Sequence, residues 1–356
     1  MEVGIMGLAS SGKSTVFRLL TGQEATAARR DTAQIGVARV PDTRLEALSA
    51  LYEPQKTTPA TVRYVDVPGI PEEHRSEAAF NLPELRSADA LMVVLRAFAD
   101  EAVPHPMGSV DPLRDLRYIE EEFILQDQLV VERRLERIMR DLARGKVPEL
   151  VRENTLLERC LGILEDGRTL RGEDFSADEH KILRGFTFLS LKPMLVVFNV
   201  GEDQIGEDGS DESLHAEIGC RPGTAVTRVC ATLEHELAEF DVSEAEAFMR
   251  DYGIADRALD RVIRESYRLL GSISFFTVGA DECRAWSVRH ATPAVEAGGV
   301  IHSDIQRGFI RAEVVPCTAL LEAGSLAACR QQGSLRLEGK TYPVQDGEIV
   351  HFRFNV

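Results

Sequence analysis

At 356 residues the chain exceeds what one ordinary core accommodates, and roughly 100–200 residues per domain predicts two or three domains. With 44% hydrophobic and 28% charged residues it reads as a folded soluble protein, which excludes a disordered or fibrous chain. Its formal charge of −17 (41 Lys and Arg against 58 Asp and Glu) repels nucleic acid and anionic lipid, which argues against a DNA-coating protein and leaves a local basic face open.

In chain order, residues 3–6 form a short apolar run that predicts a strand, and residues 13–21 predict a helix. Residues 61–67 are β-rich and end in Asp-Val-Pro-Gly, and 90–95 read as a buried strand. Strand and helix signals then give way, over 111–192, to leucines, isoleucines and valines at helical spacing. Two long helices, broken at 145–148, predict an antiparallel hairpin, and a third helix is expected over 177–190, ended by Pro193. The α/β pattern resumes with strands at 194–199 and 225–230 and helices at 234–250 and 256–270. Short apolar strands alternating with helices predict an α/β fold with a doubly wound, mostly parallel sheet. Beyond 272 the pattern turns to short β runs with Gly and Asp turns, at 273–278, 309–315, 335–337 and 350–355. The expected organisation is therefore a split nucleotide-binding domain (1–110 and 193–271), a helical insertion (111–192) and a small β-rich domain (272–356).

No stretch reaches the ~18 uninterrupted apolar residues of a membrane span. Met1 leads almost directly into the first strand without a basic n-region, so no signal peptide is expected. Cys160, Cys220, Cys230, Cys283, Cys317 and Cys329 contain no C-x-x-C pair and read as reduced thiols in a cytoplasmic protein. The negative charge is uneven: residues 193–271 carry 7 basic and 17 acidic side chains, while the flanking modules are close to neutral.

Gly7-Leu8-Ala9-Ser10-Ser11-Gly12-Lys13-Ser14 fits G-x-x-x-x-G-K-[ST] between a strand and a helix, the context a phosphate-binding P-loop requires. Glycines let consecutive N–H groups close on phosphate oxygens at a positive helix end. Lys13 is expected at the β/γ-phosphates and the Ser14 hydroxyl on Mg²⁺, with Thr15 next in the helix. Asp66-Val67-Pro68-Gly69 ends a strand where a P-loop NTPase needs a carboxylate for the Mg²⁺ shell, Asp66, and an N–H at the γ-phosphate, Gly69. The next residue is Ile70, where Ras-like enzymes use a water-orienting Gln. Hydrolysis therefore uses another group or is very slow.

Asn199-Val200-Gly201-Glu202 stands where guanine-specific proteins place Asn-Lys-x-Asp. Val200 replaces the Lys whose stem packs on the base, and the longer Glu202 replaces the Asp that accepts from guanine. Adenine is the expected base, with a GTPase as an open alternative. Cys230, Ala231 and Thr232, after the following strand, complete the expected nucleotide-binding set with Gly7, Ala9, Ser10, Ser11 and Gly12.

Together these residues resemble the YchF subfamily of Obg-like ATPases over nearly the whole length. The Gly-Lys-Ser-Thr loop, Pro41-Asp42-Thr43-Arg44-Leu45, Val65-Asp66-Val67-Pro68-Gly69, Leu191-Lys192-Pro193 and Asn199 with Glu202 all match. So do Arg284-Ala285-Trp286, Arg307-Gly308-Phe309-Ile310-Arg311-Ala312 and the closing Phe352 to Val356. The resemblance implies a P-loop NTPase G domain with a helical hairpin insertion and a C-terminal TGS domain. It also implies ATP in preference to GTP, and a histidine beyond the next strand that takes part in hydrolysis, which corresponds to His105. His105 lies between two prolines and reads either as a group that orients or deprotonates water or as a solvent-facing loop histidine; His74 is the second candidate by position.

The chain departs from that pattern at both switches. Ala9-Ser10 replaces the family's Pro-Asn, and Ala27 to Thr32 replaces a first-switch block, leaving Thr32 as the nearest Mg²⁺ or γ-phosphate ligand there. The family's cysteine in that block is missing, so redox control through it is not carried over. The second switch is shortened to Pro71 to Ser76.

Arg133, Arg137, Arg140 and Arg144 fall on one helical face, interleaved with Glu132, Glu136 and Asp141. They read either as a salt-bridged solvated surface or as a stripe facing RNA or the ribosome. Trp286 reads as a core residue of the β-rich domain in preference to a base-stacking platform. The combined expectation is a monomeric Mg²⁺-dependent ATPase of slow turnover, giving the diphosphate and phosphate. Nucleotide occupancy would set its hairpin and TGS domain for a ribosomal or other RNA-containing partner. A nucleotide-gated binding module with negligible hydrolysis is the other open alternative. The charge balance predicts that RNA contact would be local and salt-sensitive.

Overall fold

The computed structural model describes residues 1–23, 33–68, 83–145, 147–205, 218–254 and 256–355, arranged as two compact units. The first contains residues 1–37 and 63–262, the second 38–62 and 263–356.

In the first unit the apolar runs become strands β1 (Glu2–Met6), β2 (Gln34–Arg39), β4 (Thr61–Asp66), β5 (Ala90–Arg96), β6 (Met194–Asn199) and β7 (Thr224–Val229), in the order β2-β4-β1-β5-β6-β7. The pairs β1–β4, β1–β5, β5–β6 and β6–β7 are all parallel. Every residue of β5 and β6 is buried, as in a sheet covered on both faces. The β-branched and leucine-rich runs therefore show no alternation. The chain leaves β1 toward β4, while β5 lies on the other side of β1. That reversal creates a crevice at the carboxyl end of β1, the place where open α/β sheets bind ligands.

The insertion folds as α4 (Pro112–Leu142) and α5 (Pro148–Glu165), each with Pro at its first turn, where the missing N–H costs nothing. Ile124, Val131 and Ile138 of α4 share a buried cluster with Leu157, Cys160 and Leu164 of α5. Arg134 closes the pair with a two-pronged bond to Glu153 at 2.7 and 2.8 Å. Asp127, buried on α4, accepts from Leu189 N at 3.0 Å and Ser190 N at 2.7 Å, tying the hairpin to the segment entering β6. Burial raises its carboxyl above the ordinary range, against the lowering effect of those N–H groups.

Two helices differ from expectation. The helix expected over 177–190 stops as α6 (Ala177–Leu183) and passes into a tight turn at Arg184–Phe186, ended by Thr187 with φ 53°. The helix expected over 234–250 is two, Ala231–Glu239 and Val242–Asp251. Asp241 accepts from Glu244 N while Glu244 returns to Asp241 N, a capping box that restarts the helix.

The second unit is a sheet of order β11-β10-β12-β8-β9-β3, made of β3 (Lys56–Thr58), β8 (Ser272–Thr277), β9 (Glu282–Arg289), β10 (Phe309–Pro316), β11 (Arg336–Glu338) and β12 (Glu348–Phe354). Phe275, Val314, Val350 and Phe352 pack with Ala294 and Ala297 of the helix Ala294–Ile301. Residues 38–62, assigned by sequence to the first module, belong to this unit. The α2 helix (Thr43–Tyr52) packs on β9, and β3 pairs in parallel with β9. The Pro41-Asp42-Thr43-Arg44-Leu45 motif has a physical reason here. Asp42 caps α2 through Arg44 N at 3.0 Å, and the Arg44 guanidinium bonds both Asp42 and Asp346, which hold it above its ordinary range. Trp286 is half-buried, packs against the core of this unit and donates to Thr277 Oγ1 at 2.9 Å. Among the described residues no helix is long and apolar enough to cross a membrane.

Candidate nucleotide-binding site

The loop from Gly7 to Gly12 leaves β1 and runs into α1 (Lys13–Thr21), which begins at Lys13 as the motif requires. Two glycines are demanded by space. A Cβ on Gly7 would lie 2.5 Å from the Val94 carbonyl oxygen. Gly12 has φ 86°, and a methyl there would overlap Asn199 Nδ2. Ser10, with φ 62°, holds a left-handed conformation that non-glycine residues rarely adopt.

Lys13 and Asp66 are both buried, at 6% and 5% exposure. The Lys13 ammonium donates to Asp66 Oδ1 and to the Val67 carbonyl at 2.6 Å. The strand end of β4 thus supplies one anionic and one dipolar acceptor beside the positive end of α1. The Ser11 hydroxyl is buried with no hydrogen-bond partner among the described residues. Ser14, one residue into α1, is exposed.

Asn199, at the end of β6, is committed within the protein. Its Nδ2 donates to the Ser11 carbonyl at 3.1 Å and its Oδ1 accepts from Ala231 N at 3.2 Å. The side chain therefore clamps the phosphate loop to the start of the helix Ala231–Glu239. Val200, which follows Asn199, lies in the hydrophobic cluster with Phe198 and Cys230. Glu202 is exposed, in the tight turn Glu202–Gln204 that Gln204 braces by accepting from Gly201 N at 2.9 Å. Cys230 is buried, with its sulfur 3.1 Å from Thr232 Oγ1.

His105 is not a solvent-facing loop histidine. Its side chain is 4% exposed, with Nε2 3.0 Å from Asp115 Oδ2, while Nδ1 accepts from Met107 N at 3.1 Å. Since Nδ1 accepts, Nε2 carries the proton and donates to the carboxylate. Arg96 fixes the preceding segment by donating to the carbonyls of Phe98, Asp100 and Val103 at 2.9–3.2 Å. Arg96 and Asp115 were not singled out in the sequence. A lone Arg closing an apolar strand was the available signal for the first, and nothing in the spacing pointed to the second. Gly69 and Thr32, with Ile70 and His74, lie outside the described residues.

The donor set suits a nucleotide with Mg²⁺. Both glycines leave no room for a side chain, so backbone alone can close on phosphates. Among the described residues no three His, Cys, Asp or Glu converge to hold a metal. Mg²⁺ needs no such cage, being held by one or two protein oxygens together with substrate phosphates, and Ser14 and Asp66 are the residues that would supply them.

A family model described as a 50S ribosome-binding GTPase matches residues 2–131, and one named YchF-GTPase_C, described as a protein of unknown function (DUF933), matches 272–355. The chain is 38% identical over 365 residues to "Ribosome-binding ATPase YchF" of Bacillus subtilis, covering 100% of both chains. It is 34% identical to "Obg-like ATPase 1" of Oryza sativa subsp. japonica, covering 100% of this chain and 92% of that one. Among solved structures, that of the Schizosaccharomyces pombe YchF GTPase superposes with a TM-score of 0.85 at 28% identity, covering 99% of this chain and 97% of the other.

Proposed function

The chain belongs to the YchF family, and from that premise we propose that it is a Mg²⁺-dependent ATPase whose nucleotide state governs its engagement with the ribosome. Its class is that of a P-loop NTPase; ATP as the substrate, with ADP and phosphate as products, is the finer reading. The observation that carries it is the convergence of Lys13, Asp66 and the Val67 carbonyl at the start of α1.

On this reading the loop amides and Lys13 bind the β- and γ-phosphates, and Ser14 and Asp66 hold the metal, which when bound neutralises charge developing on those phosphates. Lys13 must give up part of its bond to Asp66 as the nucleotide enters. Asn199 shapes the loop from beneath, and Glu202, exposed beyond it, is the group left to meet the base. A Glu at this place supports adenine, which lacks the paired N1–H and 2-amino donors of guanine. Isothermal calorimetry with non-hydrolysable ATP and GTP analogues is expected to give tighter binding of the ATP analogue. Clearly tighter GTP binding would overturn the base assignment.

His105 is proposed to act on the attacking water, and its bonds to Asp115 and Met107 mean that it does so only by leaving them. Phosphate release by His105→Ala is expected to fall about 100-fold, the usual scale for a general base. Unchanged turnover would take His105 out of the mechanism. Absence of turnover in the wild-type chain, ribosomes included, would favour the nucleotide-gated binding module. The protein is read as a cytoplasmic monomer, with the hairpin and the β-rich unit as its ribosome-facing parts.

A further inference from the structure

The helix Val242–Asp251 is ten residues long, and none of its described side chains is buried. So short a helix is marginal in water unless an apolar face is covered. Its apolar residues do form one face. Ala245, Phe248, Met249 and Tyr252 recur at i, i+3, i+4 and i+7, and the first three are only half-buried. Phe240, just before the helix, completes the patch. Its ring lies 5.7 Å from that of Phe248, which stacks on Tyr252 at 4.4 Å. Phe240 is 39% exposed and Tyr252 63%, so the outer rings of this ladder face solvent. A contiguous exposed aromatic patch of this kind marks an interaction surface.

Carboxylates border it. At 3.6 residues per turn, Glu246 lies on one side of the apolar stripe and Glu244 and Asp251 on the other, with Arg250 behind, and all four are exposed. From 235 to 252 the chain carries six acids against that one arginine. Glu244 is engaged in the capping box with Asp241, but Glu236, Glu246 and Asp251 have no ion pair among the described residues. Elsewhere in the chain arginines cover rings, Arg159 over Phe175 at 4.8 Å and Arg284 over Trp286 at 3.9 Å. Among the described residues none covers Phe240, Phe248 or Tyr252.

The rim decides the occupant. It repels nucleic acid and anionic lipid. An uncharged apolar partner would bury carboxylates without compensation. A cationic one gains twice, because a guanidinium or ammonium group stacks on an aromatic face and pairs with a carboxylate beside it.

We propose that this face docks an arginine- and lysine-rich segment of a partner protein. The inference goes beyond the ribosome reading and does not depend on it. A fluorescein-labelled nona-arginine peptide would be titrated into the full-length chain at about 50 mM salt, with a nona-glutamate peptide as control. Binding of the first and not of the second is expected. Phe240→Ala combined with Tyr252→Ala should weaken it about 5- to 30-fold, the strength of two exposed cation–π contacts, while Tyr252→Phe should keep wild-type affinity. Glu236→Gln, Glu246→Gln and Asp251→Asn together should weaken it about 10-fold. A charge-matched variant at exposed acids of α5, Glu149→Gln with Glu158→Gln and Glu165→Gln, should change it less than about 2-fold. Peptide affinity unmoved by the aromatic double variant, or lowered as much by the α5 variant as by the rim variant, would overturn the proposal. So would Tyr252-dependent self-association in sedimentation with no peptide binding, which would make a second copy of the chain the occupant.

Discussion

Replacing Lys13 by Met is expected to lower phosphate release by at least about 100-fold, the scale seen when one donor to a developing charge is removed from a preorganised site. The ammonium is the cation at the mouth of the loop that already faces an anion, Asp66, and a carbonyl, Val67. A second effect follows from the same contacts. Without Lys13 the buried Asp66 carboxylate loses its counter-charge, and stranding a buried charge costs about 3–5 kcal/mol. Thermal unfolding and turnover should therefore both fall. Adding Asp66→Asn removes the stranded charge, so the double variant should regain stability and not turnover. Turnover close to wild type in Lys13→Met would remove this loop from the chemistry.

Gly12→Ala is the second large effect. The residue has φ 86°, which costs a non-glycine residue about 1–2 kcal/mol. The added methyl would also displace the Asn199 amide from the Ser11 carbonyl and Ala231 N–H. Leaving those buried groups unpaired costs about 1–3 kcal/mol each, so destabilisation on the order of 3–8 kcal/mol is expected. Because one displacement underlies both losses, Gly12→Ala and Asn199→Ala should not add. The double variant should be little worse than the more damaging single one, by chemical denaturation. Additive effects would mean that Asn199 does not clamp the loop.

The two substitutions mark where the sequence was legible. Local rules located α1 to the residue, and β6 to both of its ends, because glycine, apolar runs and flanking turns act over a few positions. The phosphate loop was legible for the same reason: its geometry is encoded in contiguous residues. The partner of Asn199 was not, since 188 residues separate it from Ser11 and an outward or inward amide looks alike in a string. Burial of His105 depended on a carboxylate one turn into the following helix and on Arg96 drawing the loop inward, neither of which spacing records. The arginine stripe of α4 was visible as a pattern, but its lack of ion pairs among the described residues was settled by competition for Glu132, Asp141 and Glu153, a matter of side-chain placement. The split of 234–250 has a local signal: Asp241 with Glu244 is a helix-start signature inside an apparently continuous pattern.

The membership of α2 and β3 in the second unit bears on how the chain is made. Leu45 and Leu48 are buried in that unit, and Thr58 bonds Glu282, which lies 224 residues further along. At about 5–20 residues per second, synthesis reaches that partner some 10–45 s after Thr58 has been added. Through that interval the nascent chain carries an apolar helix and a bare strand whose sheet does not yet exist. The order of assembly therefore runs against the order of synthesis: an early segment waits for the last strands, and a chain halted before residue 272 keeps it exposed. Completion of the C-terminus is a folding checkpoint for residues near the beginning.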